Sequence, residues 1–139
     1  MDKKLKIIVA DPCYDHKGLS TPVIPLGAGL VAAHTKKYFP KFQVDVFKAV
    51  SPLIEKIKKD PPDVIGLTNY LWNNNLALTI AELAKKINPD ILVVFGGPEI
   101  EKNPKDFKFN KSKYSVVDLF VQHEGEIAFL NIIKKFVEK

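Results

Sequence analysis

Four short segments of this 139-residue chain carry the residue types that could bind or react: Asp11-Pro12, Thr68-Asn69-Tyr70-Leu71-Trp72-Asn73, Gly96-Gly97-Pro98-Glu99 and Gln122-His123-Glu124-Gly125-Glu126. None sets up nucleophilic catalysis. No serine or cysteine has an evident base partner, and Cys13, the single cysteine, sits in a proline-flanked loop where a passive thiol is expected. His123-Glu124-Gly125-Glu126 has no second histidine at helical spacing, so it is not a zinc-protease motif. What these segments offer is binding. A glycine pair lets backbone approach a bulky ligand, because no side chain stands in the way. Tyr70 and Trp72 supply a broad aromatic wall beside the amides of Asn69 and Asn73. Two readings of Trp72 stay open: a flat ligand covers it, or it plugs the end of the core.

The elements around these segments explain why they should meet. Leu5 to Ala10 is a short β-branched apolar run that stops at Asp11-Pro12, a buried strand followed by a long loop through Pro25. Leu26 to Phe39 is helical, with Pro40 ending it. Phe42 to Phe47 alternates as a second strand, and Ser51-Pro52 is expected to cap a helix running to Lys59. Asp63 to Thr68 is the third strand. Asn73 to Asn88 is a helix whose stripe is Leu76, Ile80, Leu83 and Ile87. Ile91 to Phe95 is a wholly apolar fourth strand, and Val116 to Val121 is a fifth. Glu124 to Val137 is the last helix, with Ile127, Leu130, Ile133 (or Lys134) and Val137 assigned to its buried side. Strands alternating with helices predict an α/β fold, a five-stranded parallel sheet in a three-layer sandwich of order 2-1-3-4-5. In such sheets ligands bind beyond the carboxyl ends of the strands, which is where the four segments fall.

Other chemistries are excluded or weakened. Gly27-Ala28-Gly29-Leu30-Val31-Ala32 has the glycine pattern of dinucleotide binders, but it begins well past the end of the first strand. Small residues that let the first helix lie close to the sheet or to a flat ligand explain it better. A phosphorelay receiver needs an aspartate ending the third strand and a lysine ending the fifth; Thr68 and Gln122 stand there. The net charge of +5 comes entirely from lysine, with no arginine for bidentate reading of bases or phosphates, so no nucleic-acid partner is expected. The apolar stretch after Met1-Asp2-Lys3-Lys4 is too short for a signal peptide or a membrane span, so a cytoplasmic setting and no membrane partner are expected.

Pro25-Leu26-Gly27, Thr68-Asn69-Tyr70-Leu71-Trp72-Asn73, Val94-Phe95-Gly96-Gly97-Pro98-Glu99 and Glu124-Gly125-Glu126 resemble, in order and spacing, the cobalamin (B12)-binding domain at the N-terminus of B12-dependent radical SAM enzymes. The resemblance runs over residues 5 to 138. It implies a flavodoxin-like, Rossmann-like domain across residues 1 to 139, a fragment or N-terminal domain of a longer radical SAM protein. It implies cobalamin held with its nucleotide tail against the strands and its corrin ring across their carboxyl ends. The implied site draws on Asp11, Pro25, Leu26, Gly27, Thr68, Asn69, Tyr70, Trp72, Asn73, Gly96, Gly97, Pro98, Glu99, His123, Glu124, Gly125 and Glu126. Thr68, Gly96 and Gly97 would line the tail. Tyr70, Trp72 and Asn73 would approach the lower face of the ring or its amides. Glu99, Glu124 and Glu126 would cap loop amides or the ring edge.

The chain departs from related patterns in three places. The methionine-synthase type of B12 domain carries Asp-x-His-x-x-Gly after the first strand; Asp11 and Asp15-His16-Lys17-Gly18 do not fit that spacing. His16 is therefore not expected to ligate cobalt, and base-off cobalamin without a histidine lower ligand is expected. His123 stands where the pattern has glycine before Glu-Gly-Glu, which makes that loop bulkier. The three closely spaced cysteines of a radical SAM cluster are absent. The resemblance therefore places the [4Fe–4S] cluster and S-adenosylmethionine in a radical SAM catalytic domain, joined in cis or in trans, and methyl transfer is the reaction type it implies. The alternatives are a degenerate Rossmann-like interaction domain that has lost its cofactor, and a small nucleotide-binding domain using Gly27 to Ala32.

Overall fold

A computed structural model describes residues 4–14, 23–100 and 112–138. The lysine-rich stretch 101–111 and His16 lie outside the described residues. Among the described residues the order is β1 (Lys6–Cys13), α1 (Leu26–Tyr38), β2 (Gln43–Ala49), α2 (Val50–Lys59), β3 (Val64–Thr68), α3 (Asn74–Ile87), β4 (Leu92–Gly96), β5 (Leu119–Val121) and α4 (Gly125–Val137). The strands form one parallel sheet in the order β2-β1-β3-β4-β5. Parallel neighbours need crossover helices, and right-handed crossovers place α1 and α4 on one face, α2 and α3 on the other.

Alternation along the strands fills both layers. Ile8, Ile65, Val93 and Phe95 join Leu53, Ile57 and Ile80 under α2 and α3. Ile7, Val9, Val64 and Val94 join Ala28, Ala32, Phe129 and Ile133 under α1 and α4. Such two-sided burial is what the near-continuous apolar runs require.

Several local expectations are corrected. β1 continues through Asp11-Pro12 to Cys13, with a register shift against β2 between Ala10 and Cys13. Pro12 has no N–H to give the ladder, and a central strand accommodates that at an irregularity. Ser51 does not cap α2. The helix starts at Val50 with Ala49 at the cap and no side-chain hydrogen bond. Pro52 still falls in the first turn, where its missing N–H is not needed. β5 is only Leu119–Val121, because a Tyr114–Val117 turn (Val117 N to Tyr114 O, 3.0 Å) occupies the chain before it. On α4 the buried residues are Phe129, Leu130 and Ile133, while Ile127 is 68% exposed. On α3, Ala77, Ala81 and Ala84 flank Ile80 against the sheet, while Leu76, Leu83 and Ile87 are half-buried. Small residues sit where helix and sheet approach closest, and the larger ones straddle the edge.

Candidate cofactor cleft at the strand tips

β1, β3 and β4 end together, and α1 and α4 flank those ends without closing over them. The result is a cavity of about 500 Å³. Its floor is apolar: Val9, Gly66, Val94, Val121 and Phe129. Its mouth is polar: Thr68, Tyr70, Gln122, His123 and Glu126, with Gly96, Gly97 and Pro98 on one side and Gly27, Ala28 and Val31 on the other.

Glycines allow three close approaches around this space. Gly66 lies inside β3, where a Cβ would stand 3.0 Å from Cε2 of Phe129, so the phenyl ring can lie against the strand. Gly125 opens α4, and a Cβ there would stand 3.0 Å from Cγ2 of Val31, so α1 and α4 can converge. Gly97 has φ +125°, and a Cβ there would stand 2.8 Å from the carbonyl oxygen of Asn69. Only glycine combines that conformation with that approach. The loop it belongs to is clamped by Asn69, whose N–H donates to Gly96 O at 2.6 Å and whose carbonyl accepts from Glu99 N–H at 3.1 Å.

The β3–α3 loop is fixed by Asn73, which is fully buried. Its Oδ1 accepts the Tyr70 N–H at 2.8 Å, which turns Nδ2 toward the β1 tip. There Nδ2 donates to Pro12 O at 3.2 Å and Thr68 Oγ1 at 3.1 Å, with Asp11 Oδ1 at 3.4 Å. Thr68 Oγ1 donates to Asp11 Oδ1 at 2.6 Å. Asn73 stands at the N-cap position of α3 yet makes no capping bond with its side chain. Asn69, 1% exposed, accepts at Oδ1 from Asn74 Nδ2 (2.6 Å), and Asn74 also donates to Tyr114 Oη (2.9 Å). Among the described residues Asn69 Nδ2 and Asn74 Oδ1 are buried without a hydrogen-bond partner.

Of the residues singled out from sequence, Gly27, Thr68, Tyr70, Gly96, Gly97, Pro98, His123, Gly125 and Glu126 line the cavity. Asp11, Asn69 and Asn73 lie behind that lining, in the network just described. Pro25 and Glu124 take the N-cap positions of α1 and α4, and Leu26 and Glu99 are exposed. Trp72 does not plug the core. It is 66% exposed, and its ring stacks on Tyr70 with centroids 4.5 Å apart and planes 9° from parallel. His123 has φ +60°, a left-handed conformation uncommon for a residue with a Cβ. Sequence reading missed Gly66 and Phe129, and named Ala28, Val31 and Val94 only as parts of longer motifs. The signal for Gly66 was present, since a glycine inside an apolar strand marks close approach by something else. Among the described residues no cluster of three or more His, Cys, Asp or Glu is placed to hold a metal ion, and no helix is long and apolar enough to cross a membrane.

Comparison with known proteins decides the family. The family model described as "B12 binding domain" matches residues 19–133. The chain belongs to the B12-binding domain family. Its curated relatives include the cobalamin-dependent radical SAM methyltransferase TokK of Streptomyces tokunonensis, 36% identical over 81% of this chain. A second is the 2-(S-pantetheinyl)-carbapenam-3-carboxylate methyltransferase of Streptantibioticus cattleyicolor, 33% identical over 82% of this chain. This B12-binding chain spans 17% of the length of each. Among solved structures, a cobalamin-binding protein from Desulfitobacterium hafniense superposes with a TM-score of 0.67 at 17% identity, covering 96% of this chain and 60% of its own. A pilus assembly protein CpaE from Caulobacter crescentus superposes at 0.60 and 12% identity, covering 96% of this chain and 99% of its own. At those identities the likeness is one of fold, which unrelated functions share.

Proposed function

We propose that this chain is the cobalamin-holding domain of a B12-dependent radical SAM enzyme of the methyltransferase type. The observation that carries the reading is the cavity at the strand tips, with an apolar floor and with Gly27, Gly66, Gly96 and Gly97 in its lining. Its apolar floor suits a buried aromatic base. The N-termini of α1 and α4 reach its mouth through Gly27 and Gly125, and their partial positive charge suits the phosphodiester of a nucleotide tail. Cobalamin, when bound, supplies a cobalt centre able to carry a methyl group. The chain's own part is to grip the tail, to exclude water from the floor with Phe129 and Val94, and to support the ring edge through Tyr70 backed by Trp72.

A tail held in this cavity would keep its base away from the cobalt. Among the described residues His123 is the only imidazole lining the cavity, and Asp15-His16-Lys17-Gly18 does not have the spacing of a histidine-ligating pattern after β1. The reading is therefore base-off binding without a histidine below the metal. The [4Fe–4S] cluster and S-adenosylmethionine belong to a radical SAM catalytic domain, in cis or in trans. The size of the methyltransferase relatives supports such a partner.

The test is to add hydroxocobalamin, remove the excess by desalting, and record the visible spectrum. A retained corrin band with base-off absorption is expected. After reduction to cob(II)alamin, the electron paramagnetic resonance spectrum should lack nitrogen splitting. A nitrogen triplet would sink the reading of base-off binding without a histidine below the cobalt. Absence of any retained corrin would favour an interaction domain that keeps the fold without the cofactor.

A further inference from the structure

His123 holds a backbone conformation that its own side chain opposes. Among the described residues it is the only non-glycine with a positive φ, at +60°. There a Cβ crowds the carbonyl that follows, and glycine alone is free of that penalty. The residue sits in the turn between β5 and α4, where glycine would serve the backbone better. The imidazole does not compensate inside the protein: among the described residues it makes no hydrogen bond, ion pair or ring contact. It lines the mouth of the cavity instead. Strain kept at the wall of a ligand cavity points to use of the side chain that causes it.

The charge distribution identifies that use. All 21 basic residues of the chain are lysine, and among the described residues none of them lines the cavity. Glu126, the one carboxylate in that lining, opposes an anion. His123 is therefore the one side chain of the lining that can carry positive charge, and it offers an N–H in either tautomer. We infer that His123 takes the phosphodiester of the cofactor's tail, as hydrogen-bond donor and countercharge at the mouth. It adds a side chain to the backbone N–H groups of α4, which starts two residues on at Gly125. This deepens the cobalamin reading and rests on it. The residue lowers the stability of the free domain and raises its affinity for the ligand.

The experiment titrates wild type, His123→Gly and His123→Lys with hydroxocobalamin and with cobinamide, which keeps the corrin and lacks the phosphodiester. Visible spectra report binding, and thermal melts report stability. His123→Gly should melt about 2–5 °C higher, because the strain is gone. It should bind hydroxocobalamin about three- to tenfold more weakly, the range of one hydrogen bond. His123→Lys keeps both the strain and a cation, so it should melt and bind hydroxocobalamin as wild type does. Affinity for cobinamide should be the same in all three. Unchanged hydroxocobalamin affinity in His123→Gly overturns the proposal, as does an equal loss toward cobinamide, which a loosened loop would cause. Failure of lysine to restore the affinity overturns it too. Where cobinamide binds too weakly to titrate, the glycine and lysine variants decide on hydroxocobalamin alone. Failure of wild type to bind either ligand would instead remove the cobalamin reading itself.

Discussion

The two faces of the sheet are filled in opposite ways. Under α2 and α3, Ile8, Ile65, Leu67, Val93 and Phe95 meet Leu53, Ile57 and Ile80, and the layer is closed by large side chains up to the strand tips. There Phe95, Tyr114 and Phe120 interlock edge to face. Under α1 and α4 the corresponding positions carry Val9, Gly66 and Val94 against Ala28 and Ala32, and the upper part of the layer stays open. One layer puts apolar area into cohesion. The other gives up some of that area to keep a ligand-sized space, at the cost of contacts that a filled core would have made.

Substitutions in the two layers should therefore separate stability from binding. The largest effect is expected on the closed face. Ile57→Ala removes a fully buried side chain and should cost about 2–5 kcal/mol in urea denaturation, while the folded protein keeps its cobalamin affinity. A matching loss of affinity would mean that the layers are not independent. Gly66→Ala tests the open face. The new methyl group displaces the Phe129 ring into the cavity, and affinity should fall roughly tenfold, about 1.4 kcal/mol, with a smaller change in melting temperature. Tight binding in that variant would show that the ring finds room elsewhere.

Smaller effects sharpen the contrast at the rim and far from it. Trp72→Ala should alter the cobalamin spectrum or affinity more than the melting temperature, because the indole is largely exposed and backs Tyr70. A large fall in melting temperature with unchanged binding would place Trp72 in the core after all. At the other end of the sheet, hydrogen bonds from Lys56 and then Lys6 hold the Asp60 carboxyl below its ordinary value of 3.8. Its contribution is present above that value and fades as pH falls through the lowered one. The hydrogen bond to Asp60 raises Lys56 above its ordinary 10.5, against a smaller opposing effect of burial, so its contribution is lost only as pH rises past that value. Asp60→Asn should flatten the acid limb of a stability–pH curve slightly and leave the corrin spectrum untouched.

The family and the sheet order were legible because their signals are local. Apolar runs ending in Asp11-Pro12, Thr68 and Gly96-Gly97 mark strand tips whatever packs against them. The roles of particular residues were less legible. Asn73 reads in sequence as a free amide beside an aromatic wall, yet its amide is spent on Tyr70, Thr68 and Pro12. Ile127 falls on the helical stripe and is nonetheless exposed, because the α4 surface that meets the sheet is set by Phe129 lying over Gly66.

Periodicity, turn residues and the glycine doublet were enough to determine an alternating parallel sheet with a binding edge, since each depends on a few neighbouring residues. Only the folded chain decided which side of the sheet stays open and which way the hydroxyl of Thr68 points. Those outcomes depend on contacts between β1, β3, α1 and α4. The identity of a side chain does not reveal which distant partner will use it.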